Sequence, residues 1–225
     1  MAVGTGSAGA VPFFSDTSKQ AVLISPLERW MPTWNLDGYL SSLERAGYHV
    51  DVLFNEDASI SFLKTGLTKY DLIILRTDSF EYEGLNYYCS GERATSSSRA
   101  TFAEEISARE IRVGICVGFS LLFLQHNYPA GSLRPGLVYA VGGGSLELTS
   151  AFIAAGASVF IGYYDMYSLS WGHLDALSTK VLSYLSEGST VRDATLQLYR
   201  YLVRGHGQSA TLPSIYWNGN GDFKI

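Results

Sequence analysis

Apolar runs and helical spacings alternate along the first third of the chain. "AVLIS" (Ala21–Ser25) is a short apolar run closed by Pro26, the pattern of a strand buried on both faces. Leu36, Leu40, Leu43 and Ala46 then repeat at helical spacing, with Asn35 in the N-cap position and Gly47 as the stop. "YHVDVLF" (Tyr48–Phe54) predicts a strand, "DASISFLKTG" a short helix ending near Gly66, and "YDLIILR" (Tyr70–Arg76) a second buried strand. The order β-α-β-α-β predicts an α/β domain on a parallel sheet with right-handed crossovers.

The rhythm breaks at about residues 77–108, where "NYYCSGERATSSSRATF" is polar and serine-rich and predicts an irregular insertion on one face. "EIRVGICVG" resumes strand character around Ile111–Cys116. "LVYAVGGGSL" (Leu137–Leu146) is a buried strand that runs straight into a glycine-rich turn. A helix carrying Leu148, Ala151, Phe152 and Ala155 follows it, then a strand over Ala157–Gly162. Two further helical faces are Leu174, Leu177, Val181 and Leu185, and Val191, Ala194, Leu198 and Tyr201; Thr190 and Asp193 stand at capping-box spacing. These patterns give one domain over residues 21–203. Residues 1–20 read as a flexible tail, and residues 204–225 as a C-terminal extension with room for an edge strand.

Composition narrows the function classes. With 47% hydrophobic and 16% charged residues in 225, the chain has the material for a packed core and is far from the disordered range. A net charge of −5 gives no electrostatic reason to expect nucleic acid. No apolar run reaches the roughly 18 residues that a membrane span needs. The N-terminal residues lack the basic and apolar regions of a convincing signal peptide, so compartment stays open. Cys89 and Cys116 are too few for a disulfide framework, although one bridge is compatible with them, and no zinc spacing exists. "GTGSAG" and "GNGDF" lack the strand–turn–helix setting of a phosphate loop, so no cofactor or metal is expected.

In parallel α/β sheets, ligands gather beyond the carboxyl ends of the strands. That rule singles out Pro26–Trp34, Arg76–Phe80, Gly142–Ser145 and Tyr163–Ser168. Arg76, Ser79, Gly142, Gly144, Ser145 and Asp165 are the candidate ligand-binding residues among them. "ERWMPTW" and "GYYDMYSLSW" put tryptophans and tyrosines in the same loops, where they read either as loop packing or as an exposed surface for a protein partner or self-association.

The order "YDLIILRTDSF", then "LVYAVGGGSL", "LTSAFIAAGA", "SVFIG", "YYDMYS" and "STKVLSYLSEGSTVRDA" resembles the caspase-like cysteine peptidases, the group that includes gingipains, clostripain and legumain-like enzymes. The similarity spans about Ala21–Leu202 and is closest to uncharacterised archaeal members. It implies a three-layer αβα sandwich with a mostly parallel central sheet. It also implies a catalytic histidine after one strand and a catalytic cysteine after the next. Carried over by position, the histidine falls on Asp78 and the cysteine on Gly143. Glycine has no nucleophile, and a carboxylate is a weak base for a thiol that is not there. What such a site retains is backbone N–H groups able to hold an anion or a carbonyl. The resemblance therefore implies a pseudo-peptidase that binds without turnover.

Two other arrangements compete. Ser145 and His173 could pair, or Ser145 could simply cap the helix that follows it. "VGICVGF" resembles the nucleophile elbow of class I glutamine amidotransferases, with Cys116 flanked by Gly114 and Gly118, and His173 and Asp175 as its partners. The bland alternative for Cys116 is a small buried residue in a strand. His49, within a strand, reads as a structural or surface histidine.

Overall fold

The computed structural model describes residues 19–164, 170–206 and 215–225. In chain order the elements are β1 (Lys19–Ser25), α1 (Leu36–Arg45), β2 (Tyr48–Phe54), α2 (Ile60–Thr65), β3 (Leu72–Arg76), β4 (Ser79–Tyr82) and β5 (Leu85–Cys89). They continue with α3 (Ser96–Thr101), α4 (Ala103–Ser107), β6 (Ile111–Val113), β7 (Val117–Phe119), α5 (Leu121–Asn127), β8 (Leu137–Val141) and α6 (Thr149–Ala155). The last are β9 (Val159–Tyr163), α7 (Trp171–Ser186), α8 (Val191–His206) and β10 (Ile215–Gly219). A six-stranded sheet in the order β10-β9-β8-β3-β1-β2 forms the centre, parallel except for β10, which pairs antiparallel with β9 at one edge.

Both faces of this sheet are covered, which is why its inner strands β3, β8 and β9 are buried along their whole length, while the edge strands β2 and β10 are not. Along β3, Leu72 and Ile74 face a core built with α1, α7 and α8, while Ile73 and Leu75 face one built with α2, α5 and α6. The arrangement is the three-layer αβα sandwich on a mostly parallel sheet that the sequence led us to expect. No helix among the described residues is long and apolar enough to cross a membrane.

The stretch after Thr77 is not irregular. β4 and β5 form a hairpin, and with β7 and β6 they make a second, antiparallel sheet in the order β4-β5-β7-β6. Its turn places Glu83 at φ 50° and Gly84 at φ 74°, the left-handed pair that tight hairpins favour. The serine run is a helix start: Thr95 and Ser98 cap α3 reciprocally. Cap chemistry and short strands with polar faces imitate a loop in composition.

Three other expectations change. "VGICVG" is not one strand but the hairpin β6–β7, closed by the Gly114 N–H donating to the Cys116 carbonyl at 2.9 Å. On α8 the inward face runs through Val191, Ala194, Leu198 and Leu202, leaving Tyr201 outside at 53% exposure. Asn35 precedes α1 but does not cap it; its amide donates instead to the Thr179 hydroxyl on α7.

Candidate functional site

β3 and β8 are parallel neighbours with Arg76 opposite Val141. Asp78 and Gly143, each two residues further on, therefore leave the same end of adjacent strands. The Thr77 N–H extends the ladder by donating to the Val141 carbonyl at 3.0 Å. Gly142 is required there, because a Cβ at that position would stand 1.8 Å from the Thr77 carbonyl oxygen. At Gly143 the situation is the opposite: nothing lies within 4 Å of the place a Cβ would occupy. Gly144 turns the chain at φ 64°.

The turn is held from outside by the second sheet. The Ser79 hydroxyl donates to the Gly143 carbonyl at 2.7 Å, and the Tyr88 hydroxyl donates to the Gly144 carbonyl at 2.6 Å. Burial, and then the nearby Glu147 carboxylate, push the Tyr88 hydroxyl far above the usual tyrosine range, so it stays a donor. Tyr88 comes from the segment that looked irregular, and nothing in the sequence pattern singles it out. The Asp78 carboxylate accepts the Ser79 N–H at 2.9 Å, and the Asp78 carbonyl accepts the Cys89 N–H at 2.9 Å. Among the described residues the N–H groups of Gly142, Gly143 and Gly144 meet no acceptor.

Ser145 neither caps a helix nor pairs with His173. Its hydroxyl donates to the Ala140 carbonyl at 3.0 Å and accepts the Tyr163 N–H at 2.9 Å, joining β8 to β9 just past their paired region. His173 is exposed in the first turn of α7, its ring 2.9 Å from the hydroxyl of the N-cap residue Ser170. His49 is an exposed residue of β2.

Arg76, read as a ligand group, is instead a buried clamp, 1% exposed. Its five N–H donors meet Asp175 Oδ1 at 2.7 Å, Asp175 Oδ2 at 3.0 Å, Ser25 Oγ at 3.2 Å, and the Met31 and Pro32 carbonyls at 2.7 and 3.2 Å. Trp171 lies across the guanidinium at 4.7 Å. Asp175 also accepts the Trp34 N–H and the Tyr39 hydroxyl. No donor is left for a ligand. Asp165 lies outside the described residues.

Cys116 is bonded to Cys89 in a disulfide, and both sulfurs are buried beside Leu27, Met31 and Phe80. The chain has no other cysteine. The amidotransferase arrangement fails on three counts. The thiol is consumed, Cys116 sits in a hairpin turn rather than a strand-to-helix elbow, and Asp175 is committed to Arg76. Gly114 and Gly118, which looked like elbow glycines, make room for the Phe80 ring, which a Cβ at either position would meet at 2.9 Å. Cys89, within the stretch that reads as a polar, irregular insertion, ends β5 and is 1% exposed.

Around the same rim, Trp30, Trp34, Ile115 and Tyr164 stand 62–77% exposed. Tyr164 meets Tyr216 of β10 edge to face at 6.4 Å. No cluster of three or more His, Cys, Asp or Glu among the described residues is placed to hold a metal ion.

No protein-family model and no curated protein sequence matches the chain. Among solved structures the chain is similar to the Drosophila initiator caspase Dronc, with a TM-score of 0.50 at 7% identity over 91% of this chain and 80% of that one. A protein from Geobacter sulfurreducens gives a TM-score of 0.46 at 10% identity, over 91% of this chain and 95% of that one. The mostly parallel six-stranded sheet between two helical layers is thus a caspase-like fold.

Proposed function

We propose that this chain is a caspase-like domain without peptidase chemistry, related to the gingipain, clostripain and legumain-like group and its archaeal members, and that it acts by binding a protein partner. The observation that carries this reading is the pair of neighbouring strand ends bearing Asp78 and Gly143. A nucleophile and a matched base are both needed there; Gly143 has no side chain to attack with, and the Asp78 carboxylate is only a weak base.

The surroundings support it. Both thiols of the chain are spent in the disulfide, and the one hydroxyl of the turn, Ser145, is held by two strands. Three consecutive N–H groups without an acceptor favour capture of a carboxylate or carbonyl oxygen. The exposed Trp30, Trp34, Ile115 and Tyr164 favour a partner that seats aromatic and apolar anchors along the same rim.

Incubation with thiol-reactive peptidyl probes, followed by intact-mass measurement, tests the catalytic half. The expected spectrum shows unmodified protein under oxidising conditions. One probe mass added per chain, and lost on changing a single residue of this crevice, refutes the proposal. Tryptophan emission during titration with short peptides ending in a free carboxylate tests the binding half; a saturable shift abolished in Trp34→Ala is the expected result.

A further inference from the structure

The outer surface of α7 and α8 carries a feature that the crevice does not explain. Tyr184 of α7, and Gln197, Arg200, Tyr201 and Arg204 of α8, line an open cleft of about 480 Å³, and Lys180 of α7 packs on two of the lining rings. The Lys180 ammonium lies over two rings at once, 5.1 Å from that of Tyr184 and 5.6 Å from that of Tyr201, so it bridges the two helices.

The charge of this cleft is out of balance. Arg29, Arg45, Lys64, Lys69, Arg76, Arg93 and Arg192 each face a carboxylate, whereas Arg99, Arg109 and Arg112 do not. Arg200 and Arg204, four residues apart and one helical turn from each other, have no ion pair or hydrogen bond among the described residues, and Lys180 has only its aromatic contacts. Two arginines without a carboxylate line the cleft, and a lysine without one lies on the tyrosine rings beside them, in a protein whose net charge is −5. The negative end of α8 accounts for a cation in its last turn, namely Arg204. It does not account for Arg200, for Lys180, or for tyrosines that line a concave surface.

We infer that the α7–α8 cleft binds a small organic phosphate monoester, its dianion held by Arg200, Arg204 and Lys180 and its organic body lying against Tyr184 and Tyr201. Three positive charges match a dianion better than a single carboxylate, and paired guanidiniums suit the flat faces of a phosphate. The cleft volume falls within the range of small-molecule sites. This inference is independent of the silent crevice and stands or falls separately.

Calorimetric titration of the full chain with adenosine 5′-monophosphate tests it, alongside adenosine and sodium succinate as separate arms. The expected result is saturable binding of the monophosphate, at least about tenfold weaker binding of adenosine and succinate, and further weakening of about tenfold or more in Arg200→Gln/Arg204→Gln. Arg192→Gln, an exposed cation outside the cleft, should leave the affinity within about twofold. All these side chains are exposed, and circular dichroism of each variant checks that it keeps its fold. Absence of saturable binding into the millimolar range overturns the proposal, as does equal binding of adenosine or an affinity unchanged in the double variant. Saturable binding of a glutamate-rich peptide with the monophosphate silent assigns the cleft to a protein and also overturns it.

Discussion

The Ser79 hydroxyl reaches 2.7 Å across to the Gly143 carbonyl and so ties the end of β3 to the turn after β8. The two places where the resemblance implies chemistry are therefore joined by a structural hydrogen bond. Two neighbouring glycines in this turn should respond in opposite ways. Gly142→Ala drives a Cβ to 1.8 Å from the Thr77 oxygen and forces the two backbones apart, at a cost of about 3 kcal/mol. Gly143→Ala enters open space and should change stability by no more than about 0.5 kcal/mol. Urea unfolding of the two variants checks the contrast.

The Cys89–Cys116 bridge, with 27 residues of sequence separation, closes a loop that carries α3, α4 and β6. Cross-linking a loop of that length stabilises by about 3–4 kcal/mol through the unfolded state. Replacing both cysteines by alanine should lower the urea midpoint accordingly. Treating the natural chain with a reductant should approach the same midpoint once the buried sulfurs are reached. Because Thr77 donates to the Cys89 carbonyl at 2.7 Å, amide exchange around Asp78 should rise in the same samples.

Arg76 and Asp175 stand 99 residues apart in sequence and form a buried, two-pronged ion pair. Removing one partner strands the other charge in the interior, so Arg76→Met should cost about 3–5 kcal/mol. Asp175→Leu should cost a similar amount. The double variant should lose less than the sum of the two, and a double-mutant cycle measures the difference.

Burial shapes the alkaline limit of stability. It is the leading cause that pushes Tyr48 and Tyr128 up to about 12, and it drives Tyr39, Tyr88 and Tyr139 upward as well. A raised value in the folded state contributes stability that is complete below the ordinary tyrosine value near 10. That contribution is lost as pH climbs through the folded value. Unfolding free energy should therefore hold steady up to about pH 10 and fall between there and about 12. Phenolate absorbance should show the buried tyrosines ionising only as the protein unfolds.

How much of this was legible in the sequence depended on where the physics is local. β1, β3 and β8 announce themselves because a strand covered on both faces must be apolar along its length, as Leu72–Leu75 are. The second sheet does not, because β4 to β7 are only 3 to 5 residues long, too short for alternation to stand out. The disulfide joins two segments that the pairing of β5 with β7 brings together, Cys89 opposite Gly118, so residue spacing carries no trace of it. Arg76 looked like a ligand group because a cation at a strand's carboxyl end is usually one. Its partner, Asp175, sits on a helix that the chain reaches much later. Ser145 was misassigned for the same reason: a hydroxyl before a helix suggests a cap, whereas the nearest unpaired backbone groups here belong to β8 and β9.

The central claim, that the crevice beyond β3 and β8 performs no peptide hydrolysis, is tested most directly by time-resolved mass spectrometry of a diverse peptide library incubated with the purified chain. The account predicts no cleavage above the protein-free control, with or without reductant and equally in Asp78→Ala and Ser145→Ala. Multiple-turnover cleavage that disappears in Asp78→Ala or Ser145→Ala while the fold persists would contradict it.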